Sequence, residues 1–130
     1  MEKQKYAAIV LAAGSGKRMN SQVHKQYLII QDRPVLYYSL KEFEDSAVDE
    51  IVLVVGKGEE EFCRREIVDK YGISKVKAIV EGGKERYHSV FEGLKQTSDA
   101  DYVLIHDGAR PFVNQDIIRR CMLEVPEYQA

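Results

Sequence analysis

The sequence predicts an α/β fold in which a mainly parallel sheet carries helices on both faces. Three observations point to it. Short β-rich runs such as Ala7–Ala12 and Ile51-Val52-Leu53-Val54-Val55 recur along the chain. They are apolar at every position, the pattern of strands buried on both faces. Between them lie amphipathic stretches with helical spacing, and strands that alternate with helices build a parallel sheet.

Each element has a local reason. Ala7–Ala12 reads as the first strand, followed by Gly14 and Gly16. Pro34 stands where a helix begins, and Val35, Leu36, Tyr38, Ser39, Leu40 and Phe43 make its stripe. Residues 51–55 form a second strand, stopped by Gly56. Glu59–Tyr71 reads as a helix, acidic at its start, with Phe62, Ile67 and Val68 inward and Gly72 closing it. Val76–Val80 is a third strand, ended by Gly82-Gly83. Glu85–Gln96 is a helix with Val90, Phe91 and Leu94 inward. Tyr102–Ile105 is a fourth buried strand, and Asn114 or Gln115 caps a last helix containing Ile117, Ile118, Cys121 and Met122. The β-α-β-α-β-α-β-α order is Rossmann-like.

A length of 130 residues suits one domain. Hydrophobic residues at 45% and charged residues at 31% fit a globular protein and exclude a disordered or coiled-coil chain. Nineteen cations against 21 acids leave a net charge of −2, which argues against a broad nucleic-acid-binding surface. Cys63 and Cys121 have no CxxC partner and read as reduced thiols. The apolar run Tyr6–Ala13 is too short to span a bilayer and ends in glycines and cations instead of a cleavage site. No signal peptide, no membrane segment and a cytoplasmic location are expected.

Ligands of open parallel sheets bind beyond the carboxyl ends of the strands. Segments 13–25, 81–89 and 106–111 sit at such ends, and all are rich in glycine, cations or acids. The first reads Leu11-Ala12-Ala13-Gly14-Ser15-Gly16-Lys17-Arg18-Met19, then His24-Lys25-Gln26-Tyr27. Small residues admit a close ligand, and exposed N–H groups cradle phosphate oxygens. Lys17, Arg18 and Lys25 add charge; one cation about 4 Å from a phosphate oxygen attracts it by about 4 kcal/mol at an effective dielectric of about 20. The dinucleotide fingerprint fails at Met19, where a third glycine is required. The Walker pattern fails at Leu11 and again at Arg18, which stands where Ser or Thr should follow Gly16-Lys17. A plainer reading is a glycine-rich turn with solvated cations.

In Ile105-His106-Asp107-Gly108-Ala109-Arg110-Pro111 an acid follows a strand at once. Such a carboxylate can hold Mg²⁺ bound to substrate phosphates. Arg110 can pair with a phosphate or orient Asp107. The alternative is a helix cap and a surface salt bridge. His106 reads as a packed residue. In Gly82-Gly83-Lys84-Glu85-Arg86-Tyr87-His88-Ser89 the glycines let a flat base lie against the backbone, within reach of Ser89. Arg86 reads equally as a helix-surface cation, and His24 and His88 as surface histidines. With no GxSxG elbow and no His/Cys ligand cluster in the sequence, the remaining chemistry is charge stabilisation of an anionic centre. That suits phosphoryl or nucleotidyl transfer.

LAAGSGKRM with HKQYL, then GGKERYHSV, then HDGARPF, in this order, resembles the 2-C-methyl-D-erythritol 4-phosphate cytidylyltransferase family over most of the chain, Ile9 to about Ile118. The resemblance implies CTP as nucleotide, a polyol phosphate as acceptor, and Mg²⁺. It implies that Ala12, Ala13, Gly14, Ser15 and Gly16 approach the nucleotide. Arg18 and Lys25 would stabilise the charge at the α-phosphorus. Gly83, Lys84 and Ser89 would line the cytosine pocket, with Arg86 supporting the loop. Asp107, as nucleotide and metal ligand, and Arg110, on the acceptor side, would complete the site. Two residues depart from the family pattern: His24, where proline is usual, and Lys84, where some members carry an acid. The family continues well past Ala130, with acceptor-binding residues and an arm that pairs two subunits. Residues 1–130 are thus expected to be the N-terminal part of one nucleotidyltransferase domain, with a sheet incomplete at its C-terminal side.

Other readings compete. A ribitol-5-phosphate cytidylyltransferase shares the same loops, although Ala109 and Arg86-Tyr87-His88-Ser89-Val90 look more like the methylerythritol enzyme. A nicotinamide-binding domain is opposed by Met19. A non-catalytic nucleotide-binding module would not require Arg18, Lys25, Asp107 and Arg110 together.

Overall fold

The computed structural model describes residues 4–12, 29–30, 33–108 and 114–124. Strand β1 (Tyr6–Ala12) is followed by two residue pairs, β2 (Ile29–Ile30) and β3 (Arg33–Pro34), which form a small antiparallel ribbon. Then come α1 (Val35–Glu44), β4 (Glu50–Val55), α2 (Glu60–Cys63) with a π-helical turn over Arg64–Asp69, β5 (Val76–Glu81), α3 (Arg86–Lys95), β6 (Tyr102–Asp107) and α4 (Gln115–Glu124). The main sheet has the order β5-β4-β1-β6, and every pairing in it is parallel.

The two faces carry different loads. Ala8, Val10, Ala12, Ile51, Leu53, Val55 and Leu104 face α1, α2 with its π turn, and α4. Ile9, Leu11, Val52 and Val54 face the other way, toward Val90 of α3. The predicted arrangement of helices on both faces is therefore present. Central β4 and nearly all of β1 are buried; each large aliphatic there contributes about 1.5–3 kcal/mol. β5 and β6 lie outside them and are only partly covered, so the expectation of four buried strands holds for the inner two.

Two predicted helix faces need correction. In the second helix Cys63, not Phe62, joins Ile67 and Val68 in the core, and Phe62 is exposed. Cys63 and Ile67, four residues apart, share a helix face that Phe62 does not, and the wider spacing of the π turn adds Val68 to it. Gly72 closes the segment at φ +65°, as a left-handed glycine should. In α3, Phe91 and Leu94 are exposed, while Ser89 and Gly93 are buried. A Cβ on Gly93 would stand 2.8 Å from Ile9 Cγ2, so the helix lies directly on the central strand and only small residues fit beneath it. That contact turns the large apolar side chains outward. Of the cysteines, Cys63 is buried and Cys121 exposed, and neither forms a disulfide. Asn114 caps α4, its Oδ1 accepting the Ile117 N–H at 2.9 Å.

Charges pin the amino ends of the strands. Lys5 Nζ lies 2.9 Å from Glu50 Oε1 and 2.5 Å from Asp99 Oδ2, and Lys77 Nζ lies 2.8 Å from Glu50 Oε2. Hydrogen bonds to Asp99 and Glu50 raise the Lys5 ammonium above its ordinary value, and Lys5 in turn lowers Asp99. A second tie joins α1 to the approach to β5: the Ser74 hydroxyl and the Lys75 N–H (2.8 Å) both donate to Glu44. Burial alone would raise the Glu44 carboxyl, but these hydrogen bonds outweigh it and hold it below the ordinary value.

Gly93→Val should cost about 1–3 kcal/mol by overpacking against Ile9. The check is the midpoint of chemical denaturation; no change would mean that α3 can ride up without loss. The lowered Glu44 carboxyl means that the unfolded chain takes up that proton first as pH falls. Its stabilisation is complete above the ordinary glutamate value and fades as the pH falls through the folded one, which lies lower. The stability gap between wild type and Glu44→Gln should therefore shrink over this range in melts at stepped pH. A constant gap would show that the charge of Glu44 contributes nothing.

Candidate nucleotide-binding site

The registers bring the carboxyl ends of the four parallel strands into line. Glu81 pairs with Val55, Val55 with Ala12, and Asp107 with Leu11. Every loop that follows a strand therefore leaves along one edge. From β1 the chain moves to β4 and then β5 on one side, then returns to β6 on the other side. This reversal opens a crevice between β1 and β6, the place where open α/β sheets bind ligands.

Ala12 ends β1 at one wall of that crevice, buried. Asp107 ends β6 at the other wall. It is a strand residue, where the sequence suggested the first loop position. Gly108 continues the alignment, its N–H donating to Leu11 O at 2.8 Å. Successive strand residues alternate sides, so His106 and Asp107 belong to opposite faces of the sheet. His106 lies on the α1 face, 3.3 Å from Ser39 Oγ and edge-on to Phe43, which agrees with its reading as a packed residue.

The loop after β5 is folded tightly. The Gly82 N–H donates to Val55 O at 2.7 Å, which anchors the loop on β4. A Cβ on Gly83 would lie 2.3 Å from His88 Cβ, so the missing side chain is what lets His88 sit against the loop. His88 Nδ1 accepts the Glu85 N–H at 3.3 Å, as part of a capping box that starts α3. Lys84 and Arg86 are exposed, while Ser89 is buried on the inward side of α3. Gly83, Lys84, Arg86, Ser89, Ala12 and Asp107 thus share one edge of the sheet. With β5 and β6 three strand spacings apart, about 14 Å at about 4.8 Å each, only an extended ligand spans them all. Ala13, Gly14, Ser15, Gly16, Lys17, Arg18, His24, Lys25 and Arg110 lie outside the described residues.

One part of this edge was missed in the sequence. β4 ends between β1 and β5, so a ligand that reaches both of their loops must cross Gly56-Lys57-Gly58-Glu59. This segment is held by two carboxylates. Glu59 Oε1 accepts the Gly56 N–H at 3.0 Å, and Glu81 Oε2 accepts the Gly58 N–H at 2.9 Å, with Gly58 at φ +79°. The signal was available: two glycines and a lysine directly after a buried strand.

The reversed sheet with its crevice defines the chain as an open parallel α/β domain of the doubly wound kind. Comparison with known proteins narrows this further. A sequence profile of the 2-C-methyl-D-erythritol 4-phosphate cytidylyltransferase family matches residues 6–130, and the chain belongs to that family. A relative of that name from Lachnoclostridium phytofermentans is 54% identical over 127 residues, covering 98% of this chain and 54% of the relative. Another, from Clostridium kluyveri, is 55% identical over 112 residues, covering 85% and 48%. The crystal structure of 4-diphosphocytidyl-2C-methyl-D-erythritol synthase from Anaerococcus prevotii superposes with a TM-score of 0.77 at 30% identity, over 94% of this chain and 51% of that one. The chain spans about half the length of the curated relatives it matches. Neither the ribitol phosphate reading nor the nicotinamide reading is favoured by these relatives.

Gly83→Ala should displace His88 and loosen the first turn of α3. Amide hydrogen exchange at Glu85, His88 and Ser89 should accelerate while exchange in β1 and β4 is unchanged. Unaltered protection of all three amides would show that the loop accommodates a methyl group.

Proposed function

We propose that this chain is the nucleotide-binding part of an enzyme that transfers CMP from CTP to 2-C-methyl-D-erythritol 4-phosphate, in the non-mevalonate route to isoprenoids. The reading rests above all on one coincidence. The family's three motifs begin at the carboxyl ends of β1, β5 and β6, which share one edge of the sheet on either side of the crevice.

In this reading Ala12, Ala13, Gly14, Ser15 and Gly16 present backbone to the nucleotide. Gly83, Lys84 and Ser89 line the cytosine side, with Arg86 bracing the loop and Arg110 toward the acceptor. Arg18 and Lys25 are the catalytic cations. A phosphate oxygen of the acceptor bonds to the α-phosphorus as the bond to the bridging oxygen breaks, and pyrophosphate leaves with that electron pair. Charge builds on the oxygens around the α-phosphorus, so preorganised cations there stabilise the transition state most. No covalent bond to the protein is needed.

Among the described residues no group of three or more His, Cys, Asp or Glu could hold a metal ion alone. The fit is instead to Mg²⁺, which favours one or two carboxylates plus phosphate oxygens, and Asp107 at the crevice is such a carboxylate. Bound there, Mg²⁺ would neutralise charge on the triphosphate. Family membership also supports a homodimer, paired through residues beyond this half of the family's length. A cytoplasmic location is consistent with the described helices, none of which is long and apolar enough to cross a membrane.

CTP with Mg²⁺ should raise the melting temperature of the chain. Linkage gives about 2.7 kcal/mol at a hundredfold excess over Kd. ATP and GTP should raise it less, because Gly82-Gly83 and Ser89 are read as a pocket sized for a pyrimidine, and UTP less because its backbone groups are read as matching the cytosine amino group, which uracil lacks. Pyrophosphate release with the acceptor should stay near background, since the acceptor-positioning groups are proposed to lie in the other half. Equal shifts with all four nucleotides, or no shift with CTP, would overturn the reading.

A further inference from the structure

We infer that Ser39 and His106 form a positioning pair that sets the carboxylate of Asp107 for metal-bound nucleotide. The inference rests on the nucleotide reading of the crevice and adds to it two residues that lie on the opposite face of the sheet.

Asp107 is held from both sides along the chain. Before it, the His106 ring is lodged on α1: Nε2 shares a hydrogen bond with Ser39 Oγ at 3.3 Å, the donor depending on the ring tautomer. The ring also meets the edge of Phe43, with centroids 5.6 Å apart and planes at 62°. Ser39 and Phe43 are one helical turn apart on the buried side of α1, and both are buried, Ser39 completely. After Asp107, the Gly108 N–H is bonded to Leu11 O. A Cβ on Gly108 would stand 2.8 Å from Leu36 Cδ1, so this residue too is pressed against α1. Residues 106–108 are therefore clamped between α1 and β1.

Strand alternation converts that clamp into a direction for Asp107. A side chain anchored on one face of a strand fixes its neighbour on the other face. A polar pair is a costly way to fill this place, because buried Ser39 needs a hydrogen-bonding partner that an apolar residue would not. A misplacement of about 1 Å at a reacting group costs on the order of a hundredfold in rate, so a rigid strand end is worth this cost. The pair acts through Asp107 and touches neither nucleotide nor metal.

The test uses Mn²⁺ as the probe, followed by electron paramagnetic resonance, and CTP binding with and without the metal by calorimetry. In wild type, Mn²⁺ should strengthen CTP binding, and Asp107→Asn should abolish that gain. Ser39→Ala and His106→Phe should each lose about tenfold of the gain, in line with outer-shell changes at metal sites. Metal-free CTP affinity should change little. His106→Gln, which keeps a hydrogen-bonding group beside Ser39, should recover most of the gain. An undiminished gain in both Ser39→Ala and His106→Phe overturns the pair. So does a parallel loss of metal-free and metal-bound affinity, which marks a merely structural role, and folding losses in His106→Phe are separated from it by His106→Gln. A wild-type chain that binds no CTP defeats the nucleotide reading itself, a different result from variants that match a binding wild type.

Discussion

Six residue pairs hold β1 against β4, from Ala7 beside Glu50 to Ala12 beside Val55, and the site depends on their register. In half-buried strands a slip of one residue is prevented because it would bury polar side chains. That safeguard is weak here, since both strands are apolar on both faces. Size replaces polarity. β1 turns Ala8, Val10 and Ala12 toward three helices and Ile9 and Leu11 toward α3. A slip would put the bulky residues under α1 and remove Ile9 from its seat beneath Gly93. At the amino end Glu50, almost wholly buried, meets two lysines, so displacement would also strand a carboxylate.

From that register the placement of the crevice follows. Strands that end in line release their loops together, and the reversal after β5 opens a crevice between β1 and β6 at that edge. Stability and chemistry are thus divided between the ends of one sheet. The amino ends carry an ion lattice in which every charge is matched. The carboxyl ends carry glycines, whose N–H groups are held by Val55, Leu11, Glu59 and Glu81.

Strand and helix order was legible because continuous apolar runs and glycine stops are strong local signals. The faces of the helices were less legible. For α3, side-chain size suggested Phe91 and Leu94 as core beside Val90, but the helix meets Ile9 at Gly93, and Ser89 and Gly93 are buried with Val90 partly so. Periodicity assumes a normal helix-to-sheet distance, and glycine at the contact removes it. For the second helix, size again suggested Phe62, but the i, i+4 pair Cys63 and Ile67 sets the buried face, and the π turn adds Val68 to it. Candidate site residues could be placed on the fold where motif and strand end coincide, as at Asp107, or nearly so, as at Gly83 two residues past β5. The Gly56–Glu59 segment was passed over because its place between β1 and β5 comes from strand order, which is a property of the whole sheet.

The roles proposed for Asp107 and for the cations Arg18 and Lys25 set different geometric demands. A cation near a triphosphate works through a field that falls off slowly with distance, so its placement has latitude. A carboxylate that shares a small cation with phosphate oxygens must meet a coordination distance of about 2.1 Å with little tolerance. Groups on strands and helices are positioned more closely than groups on loops. Asp107 is accordingly the last residue of a strand, with its neighbours bound to α1 on one side and to β1 on the other. The strictest geometric demand of the proposed site thus falls on a residue held at the end of a strand.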